Sequence, residues 1–317
     1  MSTDWQGTIL DSGTPDKVWK ELFSSLLPLA RSSSSPVALH DATVVADRLL
    51  AEAAWELWEA YPASAEKTSD NLKSWANVDS GKAVLILDAL SLRELPILLG
   101  AAEVRGIQPV QVKVTGSECP STTDHFAKSL GLPSRSALAS DGKPGTFVLF
   151  GGNCYTDALS LPFADCPFPP TPNVVIWHSW LDDLIHVQHK LPDQIAAIAS
   201  NTLQSDGFWD FIGRLRQGRD LVLTSDHGYA VSKRFSSEVE DPDAVEILRK
   251  TFGASRNKVV SESWQKRFMP PIVMTNNNQH VVMGQWKWKV QGGFPHICHG
   301  GMSLLEVAVP YMEFSAL

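Results

Sequence analysis

Acidic and imidazole side chains follow several apolar segments of this sequence, at the point where each segment ends. Asp88 ends the run AVLILD, Asp226 and His227 follow LVLTS, and His299 stands before two glycines and the last apolar run. Aspartate and histidine supply the oxygen and nitrogen ligands that Zn²⁺ accepts in catalytic sites. Together they predict a metal centre, provided that these segments end at the same place in the fold.

Two further ligand-type residues have helical spacing. Asp182 and His186 are four residues apart in HSWLDDLIH, so on a helix they share one face and can hold one ion. Asp183 is the alternative ligand if the helical turn is placed differently. Each residue also has an ordinary structural interpretation, as an exposed helix carboxylate or a core histidine. The prediction therefore depends on the whole set.

The elements that must position these residues begin at Gly81, where short apolar runs alternate with amphipathic stretches. We predict strands at Ala83–Leu87, Val110–Val114, Thr146–Phe150, Val174–Trp177, Asp220–Thr224, Ile272–Thr275 and Val307–Met312. We predict helices at Leu92–Val104, Thr123–Leu130, Leu181–Val187, Pro192–Arg216, Pro242–Phe252 and Ser303–Glu306. This alternation is typical of an α/β fold with a mostly parallel, two-sided sheet. Such sheets place their sites at the carboxyl ends of the strands.

The first eighty residues have a different pattern. A Thr14-Pro15 start signal opens one amphipathic helix, SSSSP forms a loop, and a second helix runs from an Asp41 N-cap to Pro62. We therefore predict a helical region over 1–80, used for packing or for docking a partner, and a catalytic domain over 81–317.

Composition excludes some classes of protein. The chain has no apolar run of membrane-spanning length. Its four cysteines are widely scattered, which is typical of reduced thiols in a cytoplasmic protein. A formal net charge of -8 argues against nucleic-acid binding through a broad basic surface, but not against a local site.

Three motifs together resemble a known family. LILDALS, LVLTSDHGY and HGGMSLLEVAVPYMEF are similar to the PglZ-domain branch of the alkaline phosphatase superfamily. The resemblance extends from Ala83 to Phe314. It implies an alkaline phosphatase-like three-layer sandwich with a mostly parallel central sheet, preceded here by the helical region.

The resemblance also implies two adjacent divalent-metal sites. One ion would be held by Asp182, His186 and His299, and the other by Asp88, Asp226, His227 and the oxygen of a nucleophile. The segment ECPSTTDHFAKSL occupies the nucleophile's place, and its similarity to the phosphodiesterase pattern selects Thr123 over Thr122 and Ser121. The ligand types favour Zn²⁺, with Mn²⁺ or Mg²⁺ as alternatives.

The predicted function is a two-metal phosphohydrolase. The resemblance favours a phosphodiesterase that acts on a nucleotide or nucleic-acid diester through a phosphothreonine intermediate. Lys233 and Arg234 are candidates to bind the substrate phosphate. The alternatives are a phosphomonoesterase or phosphomutase, and a non-catalytic, metal-stabilised module with protein partners in a phage-defence or signalling assembly.

Overall fold

The computed structural model describes most of the chain. The described residues are 4–11, 13–33, 35–76, 81–139, 154–187, 191–235, 237–260, 264 and 268–317. The predicted strand Thr146–Phe150 lies outside them. Within these ranges, every helix is too short or too polar to cross a lipid bilayer.

In the part of the chain that the structure describes, five helices precede β1. They are α1 (Trp5–Asp11), α2 (Pro15–Ser32), α3 (Pro36–Glu52), α4 (Trp55–Ser64) and α5 (Thr68–Ala76). The predicted Asp41 N-cap is wrong, because α3 begins at Pro36 and the Ser35 side chain accepts a hydrogen bond from the Ala38 amide at 3.1 Å. The predicted end at Pro62 is also wrong, since the segment divides into α3 and α4 and Pro62 lies inside α4.

The remaining helices alternate with strands. They are α6 (Leu95–Val104), α7 (Thr123–Ser129), α8 (Trp180–His186), α9 (Pro192–Gln204), α10 (Asp206–Arg216), α11 (Pro242–Phe252) and α12 (Leu304–Val307). Short 3₁₀ turns occur at Arg135–Leu138, Phe163–Asp165 and Ser232–Arg234. The single helix predicted over Pro192–Arg216 is two helices, because the Ser205 side chain accepts from the Phe208 amide and starts α10 there.

Within the described ranges, six strands form the sheet at the centre of the fold. Its strands are β1 (Lys82–Leu87), β2 (Gln111–Gly116), β3 (Cys154–Leu159), β4 (Asn173–His178), β5 (Asp220–Thr224) and β13 (Ala308–Phe314), in the order β2-β13-β5-β1-β4-β3. The strands β3, β4, β1 and β5 pair in parallel, whereas β13 is antiparallel to both β5 and β2. The prediction of a mostly parallel central sheet is confirmed.

Smaller sheets lie between β5 and β13 in sequence. Their strands are β6 (Ala230–Val231), β7 (Ser237–Glu238), β8 (Asn257–Val259), β9 (Val273–Asn276), β10 (Gln279–Val282), β11 (Trp286–Lys287) and β12 (Ile297–Cys298). Strands β8, β10 and β9 form an antiparallel sheet, and β6 pairs with β12 next to the segment that carries His299.

Both faces of the central sheet are covered. Ala83, Leu85 and Leu87 of β1 pack in a core that also contains side chains of α2, α6, α9 and α10. Val84 and Ile86 point to the opposite face, where they pack in a second core with side chains of α5 and α7. Because successive side chains of a strand alternate between its faces, one buried strand supplies both cores. The result is the predicted three-layer arrangement.

Candidate active site

The hydroxyl of Thr123 lies among three buried ligand-type side chains. Thr123 is the first residue of α7. Its Oγ1 lies 2.9 Å from Oδ2 of Asp226, 3.2 Å from Oδ1 of Asp88 and 3.3 Å from Nε2 of His227. A hydroxyl has one proton to donate, so it can hydrogen-bond to only one of these carboxylates at a time. The surplus of acceptors around it is typical of a cation-binding site.

The sheet brings these ligands together. Asp88 directly follows β1, and Asp226 and His227 follow the neighbouring parallel strand β5. All three are completely buried. Nδ1 of His227 lies 2.9 Å from the Gly228 carbonyl oxygen, which can only accept, so Nδ1 donates. The lone pair of Nε2 is therefore free to bind a cation beside Asp88 and Asp226.

The two carboxylates are in an unfavourable environment without a cation. Burial, followed by the negative charges of Asp226 and Asp182, raises the pKa of Asp88 well above its usual value. Burial is also the main cause that raises the pKa of Asp226 to about 6. Buried like charges raise each other's pKa values. A divalent cation would offset this repulsion, because it stabilises the ionised form of each group.

The second group is Asp182, His186 and His299. Oδ1 of Asp182 lies 3.3 Å from Nε2 of His186 and 3.7 Å from Nε2 of His299. The two Nε2 atoms are 3.1 Å apart. One ligand atom from each residue lies within 4.8 Å of the others. Asp182 and His186 share a face of α8, as their spacing predicts.

An orphaned oxygen shows that this group fits a metal ion. Oδ1 of Asp182 is buried and accepts no hydrogen bond within the described structure, although two imidazoles surround it. Burial opposes ionisation of Asp182, but the neighbouring imidazoles of His186 and His299 lower its pKa to about 2. A carboxylate and two imidazole nitrogens are a usual zinc ligand set. The residues present therefore fit the predicted ion.

The two groups are contiguous. The rings of His227 and His299 stack with centroids 4.4 Å apart. Asp182 also forms a second set of close ligand atoms, with Asp88 and His227. Oδ2 of Asp226 lies 3.4 Å from Nε2 of His227 and completes the inner group. All six predicted ligands and Thr123 thus lie in one cluster.

The alternative nucleophiles have other partners. Ser121 is completely buried, and its Oγ donates to the Gly301 carbonyl oxygen at 2.7 Å. Oγ1 of Thr122 lies 2.8 Å from Nδ1 of His125. Neither hydroxyl has a hydrogen bond to a predicted metal ligand among the described contacts. Of the three, Thr123 is the hydroxyl placed among the ligands.

Sequence reasoning missed one cation in the cluster. Arg135, in a 3₁₀ turn after α7, donates a hydrogen bond from Nη1 to Oδ2 of Asp88. Its side chain is 29% exposed, so the guanidinium is accessible from solvent. No motif surrounds Arg135 in the sequence, and only the return of the chain after α7 brings it to Asp88.

The predicted basic pair lies in a different environment. Lys233 and Arg234 are both exposed and lie in the 3₁₀ turn that follows β6. Nη1 of Arg234 pairs with Oδ1 of Asp41 at 3.1 Å, and its backbone carbonyl oxygen lies 3.1 Å from Nε2 of His40. Arg234 therefore contacts the N-terminal helix α3. Substrate binding by this pair stays a prediction.

A mostly parallel α/β sheet with ligand-type residues at its strand ends is the arrangement expected of the class of alkaline phosphatase-like α/β domains. Within that class, residues 170–314 match the family model described as the BREX system PglZ alkaline phosphatase-like domain. This segment includes five of the six predicted ligands, while Asp88 and Thr123 lie before it. The resemblance predicted from the motifs is confirmed.

Two solved structures are similar to the chain at low sequence identity. Phosphonoacetate hydrolase from Sinorhizobium meliloti, in complex with phosphonoformate, is 15% identical with a TM-score of 0.43, over 75% of this chain and 90% of that one. An inactive form of murine ectonucleotide pyrophosphatase/phosphodiesterase 5, in complex with AMP, is 13% identical with a TM-score of 0.43, over 75% of this chain and 88% of that one. No curated protein gave a significant match.

Proposed function

We propose that this chain is a metal-dependent phosphohydrolase that acts on a phosphodiester of a nucleotide or nucleic acid, with Thr123 as its nucleophile. The observation that carries the proposal is the position of the Thr123 hydroxyl, within 3.3 Å of Asp88, Asp226 and His227. A threonine hydroxyl is a poor nucleophile at its ordinary pKa. It needs an environment of this kind to attack phosphorus.

Two divalent ions are part of the proposal. Asp182, His186 and His299 would hold one, and Asp88, Asp226, His227 and Thr123 the other. The imidazole-rich outer group favours Zn²⁺, with Mn²⁺ or Mg²⁺ as alternatives. When bound, such a pair stabilises negative charge on the attacking and leaving oxygens and lowers the pKa of a hydroxyl or a water molecule.

The chain's own residues would carry out two displacements. The Thr123 hydroxyl loses its proton, for which Oδ2 of Asp226 at 2.9 Å is the nearest acceptor. Its oxygen then bonds to phosphorus as the bond to the leaving group's oxygen breaks, which gives a phosphothreonine. In the second displacement a water oxygen loses a proton and bonds to phosphorus as the bond to Thr123 breaks, and the released Thr123 oxygen takes up a proton, which regenerates the hydroxyl.

Arg135 is the residue best placed to bind a non-bridging phosphate oxygen. Its guanidinium already meets one carboxylate of the cluster and is accessible from solvent, and arginine pairs well with phosphate oxygens. The same cation favours a second candidate function, a phosphomonoesterase, since a monoester carries more negative charge than a diester. Lys233 and Arg234 would then contact a more distant part of the substrate.

We further propose a division of the chain into a helical region, 1–80, and a catalytic domain, 81–317. Packing contacts support a bracing role for the first part: Tyr61 donates to the Ser117 carbonyl oxygen at 2.8 Å, and Thr68 to that of Gly116 at 3.1 Å. Both acceptors lie in the segment that leads to Thr123.

The BREX description of the matched family supports a protein partner in a defence or signalling assembly. The four unpaired cysteines support a cytoplasmic setting.

The test is a pair of threonine variants assayed on two substrates. Thr123→Ala should lower turnover by at least roughly 10³-fold while it retains most of the bound metal. Thr122→Ala is the matched control and should keep wild-type turnover. Bis-p-nitrophenyl phosphate should be hydrolysed faster than p-nitrophenyl phosphate, and the reverse preference would favour the monoesterase. Retained turnover in Thr123→Ala would show that Thr123 is not the nucleophile.

A further inference from the structure

The turn that follows His299 consists of residues 300–304, and every backbone N–H group in it donates a hydrogen bond. The amide of Gly300 donates to Oγ of Ser121 at 3.1 Å, and that of Met302 to the Val282 carbonyl oxygen at 2.9 Å. The Gly301 and Ser303 amides donate to the Glu306 carboxylate at 3.0 and 3.1 Å. The last amide of the turn, that of Leu304, donates to a side chain from outside this segment.

The partner of the Leu304 amide comes from the N-terminal region. Asp47, on α3, accepts from it through Oδ1 at 2.8 Å. Its other oxygen, Oδ2, accepts from Nε2 of Gln285 at 2.8 Å. Asp47 is only 1% exposed. A buried carboxylate is costly to the fold unless its hydrogen bonds are made, so these two bonds fix its position.

The contact is distant in sequence but close to the predicted metal centre. Asp47 precedes Leu304 by 257 residues, whereas Leu304 follows His299 by only five. Gly300, between them, has a φ of +88°, a backbone conformation that glycine adopts without strain. The hydrogen bonds along this turn hold the backbone that follows His299, and they therefore contribute to the position of its imidazole.

We propose that Asp47 is a positioning residue for His299, through which helix α3 fixes the turn that presents this imidazole to Asp182 and His186. The inference rests on the proposed function, because it takes these three residues as ligands of one ion. It gives the N-terminal helical region a defined role in the site. Removing Asp47 should weaken one ion specifically, since groups that orient metal ligands contribute about 10- to 100-fold to metal affinity.

The test compares Co²⁺ binding by the wild-type chain with binding by single-residue variants. Absorption titration with Co²⁺ alone is independent of turnover. We expect two equivalents to bind to the wild type, and one of them to bind about tenfold or more weakly to Asp47→Ala. Thr43→Ala is the matched control, because Thr43 is a buried residue of the same helix whose hydroxyl bonds locally to the His40 carbonyl oxygen. It should bind Co²⁺ as the wild type does.

A conservative variant separates positioning from mere stability. In Asp47→Asn the amide oxygen can still accept from Leu304. The new NH₂ would face Nε2 of Gln285, but a half-turn of the Gln285 amide presents Oε1, a buried atom without a partner in the described structure, as its acceptor. We expect Asp47→Asn to restore the affinity of both equivalents. If Asp47→Ala does not fold, Gln285→Met, which removes the group that orients Asp47, should weaken the same equivalent in the same direction.

The outcomes distinguish the two proposals. If Asp47→Ala bound both equivalents of Co²⁺ as tightly as the wild type, the positioning role would be overturned and the proposed function would stand. The same holds for Gln285→Met if it is used because Asp47→Ala does not fold. Absence of Co²⁺ binding by the wild type would overturn the metal-dependent function itself.

Discussion

Replacement of Arg256 by methionine should destabilise the fold by about 3–5 kcal/mol, the usual cost of removing one partner from a buried ion pair. Arg256 and Glu306 are both completely buried and form a two-point pair, with Nε to Oε1 at 2.8 Å and Nη2 to Oε2 at 2.9 Å. Arg256 also donates to the carbonyl oxygens of Gly284 and Trp286, at 2.6 and 3.0 Å. Methionine fills similar space but satisfies none of these acceptors.

Two opposing effects determine where in that range the cost falls. Glu306 keeps three hydrogen bonds without Arg256, from the amides of Gly301 and Ser303 and from the Ser303 hydroxyl. These bonds partly stabilise its charge, which favours the lower end. The carbonyl oxygens of Gly284 and Trp286 would lose their hydrogen bonds from Arg256. Each loss adds about 1 kcal/mol or more to the cost, which favours the upper end. We therefore expect about 4 kcal/mol.

Urea unfolding measures this directly. The matched control is Arg249→Met, because Arg249 forms an exposed pair with Glu246, in which the side chains are 53% and 41% exposed. An exposed pair contributes about 0–1 kcal/mol, so this variant should unfold close to the wild-type midpoint. A loss of less than about 1 kcal/mol in the free energy of unfolding of Arg256→Met would refute this reasoning. It would mean that the buried Arg256–Glu306 pair does not stabilise the turn that follows His299.

Two other predictions concern a buried acid and the accessible arginine. Burial is the main cause that raises the pKa of Glu94 from 4.5 to about 7. The stability that Glu94 contributes is therefore fully present below about pH 4.5 and is lost as the pH rises through 7. This loss lowers the free energy of unfolding by roughly 3 kcal/mol. Glu94→Gln should remove this loss, so the free energy of unfolding of the variant relative to wild type should increase between pH 4.5 and 8. If the two proteins gave parallel curves of unfolding free energy against pH, the prediction would be contradicted. Arg135→Ala should raise the KM for a phosphate ester by roughly tenfold or more, with Arg135→Lys intermediate and metal content unchanged; an unaltered KM would mean that Arg135 does not contact the substrate.

The sequence predicted the strands that carry ligands better than those that do not. Apart from Lys82 in β1 and Asp220 and Thr224 in β5, both strands consist of buried apolar residues, so their extent and the polar residues after them were evident. β3 was missed, because CYTDAL lies at the edge of the sheet and is only partly buried. An edge strand with polar residues lacks the continuous apolar run by which central strands are found.

The ligand cluster was predictable and its supports were not. Asp182 and His186 are recognised from a local spacing, and Asp226 and His227 from their place after a strand. By contrast, Arg135 reaches Asp88 across 47 residues, and Asp47 reaches Leu304 across 257. Neither contact has a periodic or compositional signature, since each depends on how separate elements pack. Local patterns therefore indicate the candidate ligands, and the folded chain shows which residues contact and support them.

The central claim is that six side chains, distant in sequence, converge on two divalent ions beside the Thr123 hydroxyl. Anomalous X-ray scattering at the zinc edge, from crystals of the whole chain grown with Zn²⁺, tests it most directly. The account predicts two peaks about 4 Å apart, one beside Asp182, His186 and His299, and the other beside Asp88, Asp226, His227 and Thr123. A folded, zinc-equilibrated protein with no anomalous peak at this cluster would contradict it.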